Sequence, residues 1–289
     1  MKHNWKITGE LLMWIVICIV GAFVLYNPLV GTMGGELTTP DGIQSWQFGL
    51  MLLVFVAVGG VVWSFLLKKF KMKYVGWVFA LMLANILMKI PSNLALEGVE
   101  LWSGNHFAIM FLIWSSYLFI TYAIRVVQVQ MMAGKLAPYY FWSNFVFAGA
   151  TVIVGLSIGY MLGPIVAVCF LAGAAIYDAW AVWKSKTMIG LVKGLASHGI
   201  YPGLIVPKKD TEIGFAILGG GDIFFMVATA FAFYAVAWQA TVLTMLGMFL
   251  AVIWLFIFGK NKFYPALPFI LAGCVVGLGV TALIGVPLW

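Results

Sequence analysis

Residues 213–236 read IGFAILGGGDIFFMVATAFAFYAV. The stretch is long enough to cross a bilayer as a helix, for which about 20 apolar residues suffice. Its one charged residue is Asp222, and three glycines, Gly219, Gly220 and Gly221, stand directly before it. An ionisable side chain inside such a span costs about 2.5–3.5 kcal/mol even on the mildest insertion scale, so it is a functional candidate by default. Each glycine also loses more backbone entropy on folding than alanine would. Three together beside a carboxylate make sense where something must lie against the backbone there.

The rest of the chain repeats the apolar pattern. Of its 289 residues, 64% are hydrophobic and 9% charged, and its mean hydropathy is +1.08. A soluble domain carries about a quarter charged residues. Nine spans are expected, roughly at 10–30, 45–67, 74–95, 105–127, 139–161, 164–183, 213–236, 239–258 and 264–286. The runs are continuous rather than alternating, which argues against a β-barrel. Asn85, Lys89 and Pro91 interrupt the third span. Lys2 and Lys6 precede the first, which is too long for a signal-peptide core and has no convincing cleavage site after it, so it is expected to remain as a span.

The net charge of +7 does not point to nucleic acid, because the basic residues sit in short clusters between spans. They occupy alternate loops: Lys2 and Lys6; Lys68, Lys69, Lys71 and Lys73; Arg125 and Lys135; Lys184, Lys186, Lys193, Lys208 and Lys209; Lys260 and Lys262. The positive-inside rule then places the N-terminus in the cytosol and the C-terminus outside. The chain is expected to form one all-α, multi-pass membrane domain. Its six-helix part covers 1–186, a cytosolic loop 187–212, and a three-helix part 213–289. Residues 188–195 could form a helix lying on the membrane surface.

A second buried acid, Asp178, lies in the sixth span. It is six residues from Lys184, or about 9 Å from the cytosolic edge, and Asp222 is at most about 15 Å deep by the same reckoning. The two helices run in opposite directions, so the carboxylates can face each other. Ala174 and Ala175, one turn before Asp178, allow another backbone to approach. A third feature at similar depth is Tyr264-Pro265-Ala266-Leu267-Pro268, where two prolines free backbone groups to meet a partner. Two close carboxylates share a proton and so combine an acid with a base. Such a pair could activate water for peptide hydrolysis, relay protons or cations in a transporter, or serve structure alone.

Other polar residues carry less. His3, His106 and His198 have no metal-ligand spacing, so no metal or other cofactor is expected. Asn85, Asn144 and Gln239 suit interhelical hydrogen bonds, and Lys89 suits snorkelling. Gly155-x-x-x-Gly159 and Gly273-x-x-x-Gly277 suit close helix packing within the monomer. Cys18, Cys169 and Cys274 all lie in apolar runs and imply no disulfide.

Tyr177-Asp178, Gly219-Gly220-Gly221-Asp222 and Pro265-Ala266-Leu267 resemble the YD, GxGD and PAL motifs of the presenilin and signal peptide peptidase family. They occur in order, on the sixth, seventh and ninth expected spans. Motif support runs from about Leu171 to Leu271, and the first five spans match in number only. The inward N-terminus and Pro265-Ala266-Leu267-Pro268 lean to the presenilin branch. The short loop after the sixth span departs from eukaryotic presenilins and puts self-cleavage in doubt; the compact chain looks most like an archaeal homologue in a prokaryotic cell membrane. The resemblance implies an intramembrane aspartyl endopeptidase with Asp178 and Asp222 as catalytic residues. Gly219, Gly220 and Gly221 would shape the site, Tyr177 would pack beside it, and Pro265, Ala266 and Leu267 would border it and admit substrate. The implied partners are transmembrane-helix substrates and lipid, with no accessory subunit required. An unwound substrate would pair as a strand near residues 213–218 and the backbone around Pro265.

Overall fold

The computed structural model describes residues 5–32, 46–47, 49–54, 58, 77–88, 116, 120–129, 136–185, 190, 192, 194–195, 200–201, 203–207, 215–258 and 264–288. Helix α1 spans Trp5–Thr32. Shorter helices follow at Trp77–Met88 (α2) and Ile120–Val129 (α3). Helix α4 covers Leu136–Leu162 and α5 Pro164–Ala179. Strands β1 (Gly203–Pro207) and β2 (Phe215–Gly219) precede α6 (Gly220–Phe231). Helices α7 (Trp238–Phe258) and α8 (Leu267–Leu283) complete the order.

Among the described residues, four helical stretches are long and apolar enough to cross a membrane: Ile7–Asn27, Tyr139–Leu162, Pro164–Lys184 and Trp238–Phe258. Much of the expected spans at 45–67, 74–95 and 105–127 lies outside the described residues, as do Lys89, all three histidines and most of the orienting basic residues. Of the expected surface helix, residues 190, 192, 194 and 195 are described and are helical.

The outer faces of the long helices are apolar and exposed. In α1, Trp14, Ile15, Cys18 and Ala22 are buried, while Met13, Val16, Val20 and Val24 are exposed. In a soluble protein such a face would be polar; here it suits lipid. One core joins α1, α4, α5, β1, α6, α7 and α8, with Trp14, Leu156, Phe170, Leu204, Phe231, Met248 and Ile270 among its buried members.

Close helix contacts follow from the small-residue motifs. A Cβ on Gly159 would run into the backbone of Ala228, and one on Gly155 would lie 2.9 Å from Val227. The α4 and α6 backbones therefore nearly touch. Gly247 and Gly273 meet in the same way between α7 and α8, and Gly277 packs on Leu243 and Thr244. Both GxxxG motifs are thus used inside the chain. Gly163 joins α4 to α5 at φ 69°, a backbone that L side chains rarely adopt, and Pro164 follows as the first helical residue. After Ala179 the helix widens into a π-turn over Trp180–Lys184, closed by the Ser185 N–H donating to the Trp180 carbonyl at 3.0 Å.

Two expectations change. The seventh expected span is not helical from residue 213: β2 occupies 215–219 and the helix starts at Gly220. The glycines explain this, because helix propensity collapses across 219–221 and the preceding residues find a strand partner. That partner lies in the expected connecting loop. Residues 203–207 pair antiparallel with 215–219, with Ile205 opposite Ile217 and Gly203 opposite Gly219. Leu204, Ile205 and Val206 are buried, between α1 and α4. The run Gly203-Leu204-Ile205-Val206, bracketed by Pro202 and Pro207, has a strand signature.

Asn144 also differs from expectation. Its amide reaches no neighbouring helix; it donates to the Ile205 carbonyl and accepts from the Ile205 N–H, both at 2.8 Å. Asn85 and Gln239 are exposed.

Candidate active site

Asp178 sits in the last turn of α5, facing α8. Ala174 and Ala175, one turn earlier, are buried, and their small side chains let α8 pack against this helix. The first turn of α8 explains what Asp178 meets there. A helix N-terminus leaves its first N–H groups without intrahelical acceptors. The Leu267 N–H, first of these, donates to Asp178 Oδ2 at 3.2 Å. The second residue is Pro268, which has no N–H to satisfy. The Phe269 N–H turns back to the Ala266 carbonyl at 3.0 Å. Asp178 thus caps a helix that is not its own. Pro265, Ala266 and Leu267 are all buried, so this contact is formed within the protein.

Asp222 stands in the first turn of α6, three residues after the capping residue Gly219. Its carboxylate folds back toward that residue: a Cβ on Gly219 would lie 3.0 Å from Asp222 Oδ2. Asp222 is the third helical residue, the position from which an acidic side chain turns back toward the cap in a capping box. Asp222 therefore lies at the N-terminus of its own helix and Asp178, at the C-terminal end of α5, lies against the N-terminus of α8, an end where backbone dipoles favour a negative charge. Asp178 is close enough for its charge to act on Asp222. Both are half-buried.

The three glycines have three different surroundings. Gly219 makes room for the carboxylate. Gly220 is buried on Phe147, whose ring a Cβ would strike. Gly221 is exposed, and among the described residues nothing lies within 4 Å of where its Cβ would stand. Open space thus lies on the α6 backbone immediately before Asp222. The Tyr177 ring lies 6.1 Å from that of Trp180.

β2 leads straight into this helix start, so its edge belongs to the site. Because the backbone groups of Ile205 are taken by Asn144, they point away from β2. In an antiparallel pair the opposite residue, Ile217, then points its own N–H and C=O to the far edge of β2. Among the described residues no third strand covers that edge. The hairpin, Asn144 and Phe147 are parts of the site surroundings that sequence reasoning did not assign. No group of three or more metal-ligating side chains occurs among the described residues.

Two solved structures of a presenilin family intramembrane aspartate protease are similar to this chain. One, in space group P2, shares 18% identity over 96% of this chain and 97% of its own, with a TM-score of 0.61. The other, in space group C222, shares 17% identity over 95% and 99%, also with a TM-score of 0.61. Neither a protein-family model nor a curated protein matches the sequence. At this identity the likeness establishes the fold.

Proposed function

We propose that this chain, built on the fold of presenilin family intramembrane proteases, hydrolyses peptide bonds within membrane-spanning helices, using Asp178 and Asp222 as its acid–base pair. One observation carries the proposal: Asp178 accepts the Leu267 amide while lying within electrostatic reach of Asp222. That hydrogen bond joins two of the three short motifs across 89 residues of chain. A purely structural aspartate would need one partner; here two acids share a site, beside open backbone at Gly221.

In the proposed reaction one carboxylate takes a proton from water as it attacks the peptide carbonyl carbon. The other, protonated, gives its proton to the carbonyl oxygen, forming a gem-diol. Collapse of the diol breaks the C–N bond, and the proton passes to the leaving amine. A helical substrate must first unwind, because its peptide bonds are shielded and hydrogen-bonded. The unwound stretch adds as a strand to the far edge of β2, taking the N–H and C=O of Ile217 as partners. Gly221 leaves room for it beside Asp222. Nine spans, a cytosolic N-terminus, action on transmembrane proteins without accessory subunits, and residence in a prokaryotic cell membrane belong to the same proposal.

A peptide carrying a hydroxyl isostere of the gem-diol tests it. Purified protein in vesicles is expected to bind such a peptide far more tightly than the matching amide, as a transition-state mimic should be bound. Equal, weak binding of both, together with Asp-dependent ion or solute flux, would instead identify a transporter.

A further inference from the structure

We infer that Asn144 is a positioning residue that sets where a substrate is cut, by holding the hairpin at a fixed angle to the two aspartates. This rests on the proteolytic reading of the site. Asn144 is fully buried in an apolar stretch of α4. Asparagine is a poor helix former, and burying its amide is costly unless its groups are paired. Other polar side chains of this helix are spent locally: Thr151 donates to the Phe147 carbonyl and Ser157 to the Ile153 carbonyl. Asn144 instead reaches 61 residues along the chain. Its side-chain amide presents one donor and one acceptor to Ile205, as the backbone of a neighbouring strand would. β1 is therefore held on both edges, by β2 on one and by Asn144 on the other.

The clamp lies close to the chemistry. Ile205 is two residues from Gly203, which pairs with Gly219, the capping residue of the Asp222 helix. That is about 7 Å along a strand. Phe147, one turn beyond Asn144 on the same face of α4, supports Gly220. One helix face thus holds both β1 and the start of α6. β2 is continuous with Asp222, but Asp178 stands on a different helix. The angle that the β2 edge makes to Asp178 depends on what anchors the hairpin. Without the anchor, neighbouring peptide bonds of a strand lying on that edge come within reach of the pair.

The test compares full-length wild type with Asn144→Ala, Asn144→Leu and Asn144→Asp on one transmembrane-helix substrate in vesicles. Products are identified by mass spectrometry, and KM and kcat are measured separately. Leu156→Ala is the control: it removes buried volume on the same helix, about 18 Å from Asn144. In Asn144→Leu the share of cleavage at bonds flanking the main site is expected to rise at least about threefold. Its KM is expected to rise about tenfold, the order of losing two net hydrogen bonds, with a smaller fall in kcat. Leu156→Ala lowers thermal stability but keeps the wild-type product pattern. Asn144→Asp keeps the shape and the acceptor for the Ile205 N–H; it is expected to fall between wild type and Asn144→Leu, and it decides the matter if the apolar variants do not fold. Folded Asn144 variants with the wild-type product pattern and KM would overturn the role of Asn144 alone. Absence of cleavage by wild type would instead refute the proteolytic reading beneath it.

Discussion

Gly220 and Gly221 are neighbours in sequence, yet a methyl group added to each should have opposite consequences. At Gly220 the new Cβ would overlap the Phe147 ring, so the ring or the start of α6 must move. Overpacking of this kind costs about 1–3 kcal/mol. At Gly221 the Cβ would meet nothing within 4 Å among the described residues. There alanine removes the entropy penalty of glycine, so stability should be unchanged or raised by up to about 1 kcal/mol. Activity should divide differently. Gly221→Ala places its methyl in the space proposed for the substrate strand beside Asp222, and cleavage is expected to fall at least about tenfold, equivalent to about 1.4 kcal/mol of transition-state stabilisation. Gly220→Ala should lose activity along with stability, and Phe147→Ala in the same chain should restore part of both. The assay is thermal unfolding of each purified variant in detergent, beside cleavage of one transmembrane substrate. A Gly221→Ala protein that is stable and fully active would refute the assignment of that space to substrate. A Gly220→Ala protein as stable as wild type would refute the contact with Phe147.

Leu267→Pro removes the N–H that Asp178 accepts, and it crowds Ala266, whose ψ of −31° is disfavoured before proline. Cleavage is expected to fall more than about 100-fold, near the about 3 kcal/mol limit for a hydrogen bond to a charged group, while the variant still runs as a folded monodisperse species; retained activity would show that the bond is dispensable. Gly159→Ala drives a methyl into the Ala228 backbone and should cost about 1–3 kcal/mol, read as a lowered unfolding temperature. If the two carboxylates share a proton, the pH–rate profile is bell-shaped and either Asp→Asn change removes the bell along with the activity, whereas a rate that only rises or only falls across the range of folded protein contradicts proton sharing.

The parts of this molecule that were legible in the sequence depend on local signals. Apolar runs marked the helices, Pro164 marked the start of α5, and Asp178 and Asp222 stood out because charge is rare in such runs. Glycine spacing foresaw both tight helix crossings, since a missing Cβ matters wherever two backbones approach. What stayed hidden depends on partners distant in sequence. Residues 215–219 are apolar and merge with the helix behind them, and only pairing with 203–207 makes them a strand. The Asn144 amide looks the same whether its partner is a helix or a strand. The two prolines of 264–268 marked backbone groups free to meet a partner, but which donor and which acceptor, the Leu267 N–H and Asp178, depends on how α5 and α8 pack.

The central claim is that Asp178 and Asp222 act together on a peptide bond. The most direct measurement is cleavage of a transmembrane-helix substrate by the purified protein in vesicles, with Asp178→Asn and Asp222→Asn prepared alongside. The account predicts cleavage within the helix by wild type, and its loss in each variant while both remain folded. Cleavage by either variant at more than a small fraction of the wild-type rate would contradict it.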